Sequence, residues 1–292
     1  MPSLIDIRRR IRSVRNTEQI TKAMKMVSAA KLRRAQDRVL ASRPYAALIR
    51  EVLGGLVARA SASEEGHGHP LLVRRPEDRI LLLLLTGDKG LCGAFNTNLI
   101  KASQAFLAGH SSARVELELI GRKGRDFYRR RQVPIAGERI NVFAKVDYAV
   151  ARAIAQKAIG RFVEGEVDAV YLLYNEFKTV LSQKLVVDAI LPLRAPAGQG
   201  NASQPAVDYI YEQPVSELLA YLLPKYAEVQ IFHAMLESAA AEHAARMTAM
   251  DAATSNAGEM IDKLTLYLNR VRQASITKEI IEVVSGAAAA GS

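Results

Sequence analysis

Residues 4–56 read LIDIRRRIRSVRNTEQITKAMKMVSAAKLRRAQDRVLASRPYAALIREVLGGL, with Pro44 as the only proline and no glycine before Gly54. A second stretch of this kind, residues 225–285, has no proline and a single glycine, Gly258. Because proline and glycine are the poorest helix formers, both stretches predict long helices. At a rise of about 1.5 Å per residue, each would extend roughly 75–90 Å. Pro44 removes one backbone hydrogen bond, so we expect a kink there rather than a break.

Apolar and small residues recur in both stretches at alternating steps of three and four, which is typical of a coiled-coil seam. In the first stretch they are Leu4, Ile7, Ile11 and Val14, and then Leu32, Ala35, Val39, Ser42, Ala46, Ile49, Leu53 and Leu56. In the second they are Met247, Met250, Thr254, Ala257, Ile261, Leu264, Leu268 and Val271. Between the two sets of the first stretch we expect a register slip, with Ile20, Met24 and Val27 forming a separate stripe.

Charge is distributed unevenly along the chain, whose formal net charge is +10. Residues 1–58 carry 13 Lys/Arg against 4 Asp/Glu, a net of +9, whereas residues 208–286 carry 6 against 11, a net of −5. Opposite charge favours pairing of the two helices, and it leaves the first helix strongly basic. Together with the seams, this predicts an antiparallel coiled coil of the N- and C-terminal helices.

A basic helix can bind nucleic acid, an anionic membrane or an acidic protein surface, or it can simply be a solvated charged face. Residues 1–44 contain no aromatic side chain that could stack on bases. They also lack the bulky apolar face of a membrane-surface helix. The sequence therefore favours an acidic protein partner, and a nucleic-acid-binding protein with a basic coiled-coil arm is the alternative.

The chain between the helices changes to short apolar runs bounded by turn residues, which suits buried strands of an α/β domain. The predicted strands are Ile80–Leu85, Val115–Ile120, Val170–Tyr174 and, antiparallel at the end, Thr179–Pro192, with helices near Asn98–Leu107, Lys123–Arg131 and Asp147–Phe162. This alternation predicts a central Rossmann-like βαβ domain. The predicted organisation is an N-terminal coiled-coil helix (1–60), a linker (61–78), the α/β domain (79–194), a second linker (195–207) and a C-terminal coiled-coil helix (208–292).

The glycine-rich segment Gly87–Gly93 follows a predicted strand and precedes a helix, where phosphate-binding loops occur. It matches neither the P-loop pattern nor the dinucleotide-binding pattern, so we interpret it as a tight turn that needs glycine. Cys92 has no neighbouring histidine and is expected to be a packed thiol rather than a nucleophile. As the only cysteine in the chain, it excludes an internal disulfide and favours a reducing compartment.

The histidines show no spacing typical of a metal site. His67 and His69 lie in a polar linker, and His233 and His243 are expected to face solvent or the partner helix. No constellation for catalysis emerges, so we predict no cofactor, no metal and no catalytic site. The first residues do not resemble a signal peptide, and the longest apolar run, Ile80–Leu85, is too short to cross a bilayer. Any membrane role is therefore expected to come through partners.

Two terminal motifs carry a family resemblance that spans essentially the whole chain. They are IRSVRNTEQITKAMKMV (residues 11–27), continuing through Arg43-Pro44-Tyr45, and AARM (244–247) continuing to NRVRQASITKEI (269–280) and SGAA (285–288). With GDKGLCG (87–93), they resemble the gamma subunit of bacterial F-type, proton-transporting ATP synthases. The resemblance implies an antiparallel coiled coil that acts as the central shaft, coupling proton flow to ATP synthesis or hydrolysis at beta-subunit sites and regulating ATPase activity.

The resemblance also implies contact residues. Arg272 and Gln273 would bind an acidic loop of the beta subunit, with Thr277 and Glu279 in the same zone. Met24, flanked by Lys22 and Lys25, would lie beside an acidic lever segment of beta. Lys25 stands where some relatives carry Glu, so the local charge there would differ. The remaining implied roles are helix pairing for Arg246 and contact with the rotor ring or epsilon subunit for Tyr209 and Glu212.

The partners implied by the resemblance are three alpha and three beta subunits, the epsilon subunit and the membrane ring of c subunits, and no nucleic acid. The implied location is the cytoplasmic face of the bacterial inner membrane, as a peripheral protein. Chloroplast members carry an inserted segment with two cysteines, and this chain has only Cys92. We therefore expect no thiol switch of that kind.

Overall fold

The computed structural model describes residues 3–62, 69–193 and 213–290. The helices are α1 (Leu4–Ala62), α2 (Phe95–Gly109), α3 (Arg122–Tyr128), α4 (Tyr148–Val163) and α5 (Val215–Ala290). The strands are β1 (Arg79–Leu85), β2 (Arg114–Ile120), β3 (Ile135–Arg139), β4 (Ala169–Phe177) and β5 (Gln183–Leu191). Short 3₁₀ turns occur at Pro70–Leu72 and Val142–Ala144.

Both terminal helices are long and unbroken, as predicted. Helix α1 has 59 residues and runs on through Pro44, and α5 has 76 residues and includes Pro224. A capping box starts α1. The Ser3 hydroxyl oxygen accepts from the amide of Asp6 (3.2 Å), and the Asp6 carboxylate accepts from the amide of Ser3 (3.3 Å).

The sheet has the strand order β3-β2-β1-β4-β5. Strands β1 to β4 run parallel, and β5 is antiparallel to β4 at the edge. Strand β1, with the sequence RILLLLL, lies between β2 and β4 and is buried after its first residue. A continuous apolar run is what a parallel strand covered on both faces requires. The predicted α/β fold with long terminal helices is therefore confirmed.

Strand β3 was not predicted from the sequence. Its five residues, IAGER, contain one β-branched residue and two charged ones, so the apolar signal of a strand is absent. It forms because it pairs in parallel with β2, where Gly137 lies opposite Glu118. A side chain at Gly137 would come within 2.5 Å of the Glu118 carboxylate, so glycine is needed for this close approach.

Residue contacts divide the chain into two compact units. One comprises Met1–Ser28 and Met247–Ser292, and the other Ala29–Arg246. The division falls inside both long helices, between Ser28 and Ala29 and between Arg246 and Met247. The boundaries predicted from the sequence instead follow the helix ends.

In the first unit, α1 and α5 pair antiparallel. The hydroxyls of Thr21 and Thr254 are hydrogen-bonded at 2.7 Å, and the Lys25 Nζ lies 2.6 Å from the Asp251 Oδ1. Residue numbers rise along one helix as they fall along the other, which defines the antiparallel direction. The coiled coil expected from the seams is thus present.

The predicted register slip in α1 is wrong. One series of buried or half-buried positions keeps the steps of three and four through the whole unit: Leu4, Ile7, Ile11, Val14, Glu18, Thr21, Lys25 and Ser28, with Met24 half-buried beside it. Ile20 and Val27 are instead 60% and 55% exposed. The prediction followed the largest apolar residues, whereas the seam runs through polar and small ones.

In the second unit, the helices bury larger side chains. From α1 these are Leu32, Val39, Ile49, Leu53 and Leu56. Helix α5 is buried on most of its faces between Tyr226 and Arg246, as expected for a helix inside a core rather than on a surface. One α5 residue, Ala241, belongs to the core cluster built around β1, β2 and β4.

Candidate partner-contact surfaces

The loop after β1 lies where an open α/β sheet commonly binds ligands. Strand order reverses between β1 and β4, and such a reversal opens a crevice at the carboxyl ends of the strands. Here α5 fills the position: a side-chain carbon on Gly87 would lie 2.9 Å from the Cδ of Glu242. The loop Gly87–Gly93, interpreted from the sequence as a tight turn, therefore packs against a helix of its own chain.

Arg246 joins α5 to this loop. Its guanidinium donates to the backbone carbonyls of Gly90 (3.3 Å) and Lys89 (3.4 Å), and it pairs with the Glu242 carboxylate at 2.5 Å. Only 8% of Arg246 is exposed. These hydrogen bonds run within α5 and to the loop after β1, so its implied role in pairing the two helices stays a prediction.

Burial shifts the pKa values of the groups around Arg246. It raises the pKa of Glu242, an effect that the neighbouring Arg246 opposes. Burial, together with the positive charges of Arg246 and Lys31, lowers the pKa of His243 to about 4. His243 is therefore neutral at pH 7, as a half-buried imidazole beside a guanidinium should be.

The same loop is fixed from its other side by Asp88. The Asp88 carboxylate accepts from the backbone amides of Arg122 (3.0 Å), Asn141 (2.8 Å) and Phe143 (3.3 Å). One side chain thereby connects the end of β1 to the starts of α3 and of the 3₁₀ turn. This makes the loop a structural junction.

Glycine is favoured at two kinds of position in and near this loop: those with a positive φ and those where another group approaches the backbone closely. Gly93 has a positive φ of 57°, and so does the non-glycine Leu91 at 60°. The conformation of Gly93 is the one that the tight-turn interpretation expects. Gly121, at φ 107°, would place a side-chain carbon 1.9 Å from the Thr86 carbonyl oxygen. Gly87, by contrast, is needed for the close approach of Glu242.

Cys92 is a buried free thiol, which agrees with the predicted packing role. Its sulfur accepts from the Asn96 side-chain amide at 3.1 Å, and burial raises its pKa. His233 lies 3.7 Å from the buried Glu237, and His69 accepts from the amide of Leu71 (3.3 Å); His67 lies outside the described residues. Within residues 3–62, 69–193 and 213–290, no group of three His, Cys, Asp or Glu residues is placed to hold a metal ion.

The predicted contact residues of α1 differ in their surroundings. Lys22 is exposed, Met24 is half-buried, and Lys25 is paired with Asp251 across the seam. Beside them, three apolar side chains face outward: Ile20, Met26 and Val27. Sequence reasoning assigned Ile20 and Val27 to a seam and missed Met26, although continuing the heptad through Glu18, Thr21 and Ser28 would have placed all three outside.

The predicted contact residues near the end of α5 are all exposed. They are Arg272, Gln273, Thr277 and Glu279. The Thr277 hydroxyl donates to the Gln273 carbonyl (2.9 Å), and Glu279 accepts from the Ser275 hydroxyl (3.2 Å). Large apolar side chains continue this exposed surface: Ile276, Ile280, Ile281, Val283 and Val284, of which Val283 is 72% exposed. Exposed apolar residues in such density indicate a surface that another molecule covers.

Comparison with known proteins decides the family. A family model described as ATP synthase matches residues 3–290. The ATP synthase gamma chain of Solibacter usitatus is 64% identical over 290 residues, covering 99% of this chain and 100% of the relative. That of Anaeromyxobacter sp. strain Fw109-5 is 51% identical, with 99% of both chains covered. The chain belongs to the ATP synthase gamma chain family.

Solved structures agree with this membership. A chain from the central stalk and c-ring of Tetrahymena thermophila mitochondrial ATP synthase matches with a TM-score of 0.60 and 25% identity, covering 80% of this gamma chain and 99% of its own length. A chain of the Euglena gracilis mitochondrial ATP synthase has a TM-score of 0.66 at 18% identity, covering 98% and 94%, and shares the fold. The alternative of a nucleic-acid-binding protein gains no support from these comparisons.

In the part of the chain that the structure describes, no helix is both long and apolar enough to cross a membrane. Tyr209 and Glu212, the residues implied to contact the rotor ring or epsilon subunit, lie outside the described residues.

Proposed function

We propose that this chain is the central rotor shaft of a bacterial F-type ATP synthase. It couples proton flow through the membrane ring to ATP synthesis or hydrolysis at sites on the beta subunits, and it regulates ATPase activity. The observation that carries the proposal is the 64% identity to a gamma chain over the full length of both proteins.

The surfaces of the first unit support a role inside a partner assembly. Its seam buries small side chains such as Thr21, Ser28 and Ala257, while Ile20 and Ile280 face outward. A shaft within a threefold ring cannot match three sites at once, so its contacts should be few and reversible. Aromatic anchors make interfaces tight, and they are correspondingly sparse there. Tyr267 is the one aromatic residue in the described part of this unit.

The proposed contacts are those that the family resemblance implies. Lys22, Met24 and Lys25 would lie against an acidic lever segment of beta, and Arg272, Gln273, Thr277 and Glu279 against an acidic loop of beta. Tyr209 and Glu212 would contact the c ring or the epsilon subunit. The chain would then reach the membrane only through partners, at the cytoplasmic face of the inner membrane.

We also propose that the chain has no catalytic site of its own. The crevice of its sheet is filled by α5, with Glu242 against Gly87 and Arg246 on the loop after β1. A nucleotide phosphate would have to displace this buried ion pair. Catalysis would therefore belong to the complex, at nucleotide sites of other subunits.

Reconstitution with cognate alpha and beta subunits tests the proposal. We expect no ATP hydrolysis by the chain alone, and rotary, proton-coupled hydrolysis only when it is added to alpha and beta with the membrane sector. Full rotary turnover in its absence would contradict the proposal. Binding of the purified chain to tRNA, weakening steeply with salt, would instead favour the nucleic-acid alternative.

A further inference from the structure

Buried charged side chains fasten α5 to the carboxyl edge of the sheet. The Glu237 carboxylate accepts from the backbone amide of Phe177 (3.0 Å), the last residue of β4. Glu242 and Arg246 sit on the loop that follows β1. Glu237 and Glu242 are 2% and 5% exposed. These contacts, called ties below, connect α5 to the end of β4 and to the loop after the neighbouring strand β1.

Such ties are poor candidates for simple stabilisation. Removing two charges from water costs free energy that their attraction does not reliably return, so a buried ion pair often contributes little net stability. Hydrogen bonds differ from apolar contacts in being directional, and they weaken steeply when the angle changes. Between Glu237 and Glu242 the buried α5 residues 238–241 are all small, and small side chains impose little directional preference. What the ties add is a fixed rotational setting of the helix.

The loop is shaped to receive this pair. Any side chain at Gly87 would collide with the Glu242 carboxyl group, because its first carbon would lie 2.9 to 3.1 Å from three of its atoms. Arg246 then donates to the carbonyls of Lys89 and Gly90, just beyond Gly87 in the loop. Both members of the ion pair, Glu242 and Arg246, therefore contact the loop after β1 and hold α5 against it.

We infer that Glu242 and Arg246 lock α5 against turning about its own axis on the α/β domain, and that torque passes between the domain and α5 through this lock. The two are positioning residues, since they act on the orientation of a helix and not on nucleotide. The inference rests on the proposed function as a rotor shaft. If α5 could rotate about its axis relative to the α/β domain, it would turn through a smaller angle than the domain does.

A reversible cross-link tests the lock in the assembled enzyme. The double variant Gly87→Cys/Glu242→Cys removes the charged tie when reduced and replaces it with a covalent one when oxidised. The complex is reconstituted in vesicles, and ATP-driven proton pumping is measured per ATP hydrolysed. We expect reduced complexes to pump less per ATP than wild type, and oxidation to restore the wild-type ratio. An equal ratio in both redox states would overturn the inference.

Single variants separate locking from folding. Glu242→Gln keeps the size of the side chain and removes its charge, and Glu217→Gln is the control because Glu217 is exposed on the same helix. Losing a charge-assisted hydrogen bond should speed amide exchange in residues 87–93 by roughly tenfold. Gly87→Ala should act likewise, whereas Gly160→Ala should not, since nothing lies within 4 Å of the added carbon.

Amide exchange and the number of protons pumped per ATP together show which part of the inference fails. Faster exchange with an unchanged pumping ratio would reduce the pair to a structural role and overturn the inference. Unchanged exchange would also overturn it, because the tie would then not hold the loop. If the wild-type chain itself fails to support coupled hydrolysis, the proposed function fails and not the lock. If the Glu242→Gln chain fails to assemble, the pumping ratios of the reduced and oxidised double variant still test the lock.

Discussion

Helices α1 and α5 are buried differently in the two units. In the unit Ala29–Arg246, α1 buries Leu53 and Leu56 completely, and α5 is covered on most of its faces. In the unit Met1–Ser28 with Met247–Ser292, the buried residues are few and mostly small or polar, such as Thr21, Ser28 and Ala257. The same two helices thus serve as core elements in one unit and as a slender pair in the other.

This difference in burial assigns different tasks to the two units: one holds the helices in place, and the other offers a surface to partners. Large buried side chains fix a helix because each contributes about 1.5–3 kcal/mol of transfer free energy. A seam of small residues contributes less, and bulky apolar residues such as Ile20 and Val27 lie outside it. The first unit is thereby suited to touch partners, and the second to hold the helices.

Leu53→Ala tests the anchoring side of this comparison and should have the largest effect. Leu53 is completely buried. We therefore expect the full chain to lose about 2–5 kcal/mol of unfolding free energy in urea titrations. The matched control is Leu266→Ala in the first unit, where Leu266 is 62% exposed. That change should stay within about 0.5 kcal/mol, and equal losses for the two leucines would break the comparison.

Arg272→Ala tests the contact side. The residue is exposed, so we expect the unfolding free energy of the chain to change little. A surface substitution of this kind changes it by less than about 0.5 kcal/mol. Loss of a hydrogen bond to a charged group of beta should weaken binding to the alpha–beta assembly by about 1.5–3 kcal/mol. Titration of the assembly with variant chain measures this, with Arg270→Ala as the control. Wild-type affinity for Arg272→Ala would exclude it from the contact.

The threonine pair of the seam sharpens the comparison, because its hydroxyls are 2.7 Å apart. Thr21→Val should cost about 0.5–1.5 kcal/mol, since it removes a typical intramolecular hydrogen bond. Adding Thr254→Val should recover most of that loss, because two apolar partners of the same shape can replace a bonded pair. Thermal unfolding of both single variants and the double variant gives the coupling energy. Purely additive losses would show that the hydroxyls do not depend on each other.

Lys25→Gln should have the smallest effect on stability. The Lys25–Asp251 pair is at the surface, with side chains 42% and 60% exposed. Such pairs are worth about 0.2–1 kcal/mol. The loss should vanish in about 1 M salt, where the Debye length is only about 3 Å. Lys22→Gln, at an exposed neighbouring position, is the control. A loss that persists in high salt would mean that Lys25 contributes by packing in the seam.

Sequence reasoning was most reliable where one physical signal dominated. The apolar run Ile80–Leu85 predicted the buried strand β1, and the scarcity of proline and glycine predicted α1 and α5. It failed where the signal was weak, at the five-residue edge strand β3, and where it was misleading, at Ile20 and Val27. A large apolar residue indicates burial somewhere, but the burial can come from a partner that the chain alone does not contain.

Some functional positions could likewise be predicted from the sequence, and others could not. Motifs at the two ends of the chain were sufficient to name the residues expected to touch beta, and the structure shows that Arg272 and Gln273 are exposed as such contacts require. Nothing in the sequence indicated that Glu242 would fill the place next to Gly87. These residues are far apart in the chain, so only its path through the fold can bring them together.

The sequence by itself determined the long terminal helices, the parallel strands and the small-residue seams, because these depend on local propensity and periodicity. The tertiary structure alone decided that β3 completes the sheet and that α5 occupies the crevice after β1. Each of these depends on which distant segment packs there, because a residue's own type sets how much apolar area it can bury and the neighbouring segment decides whether that area is buried.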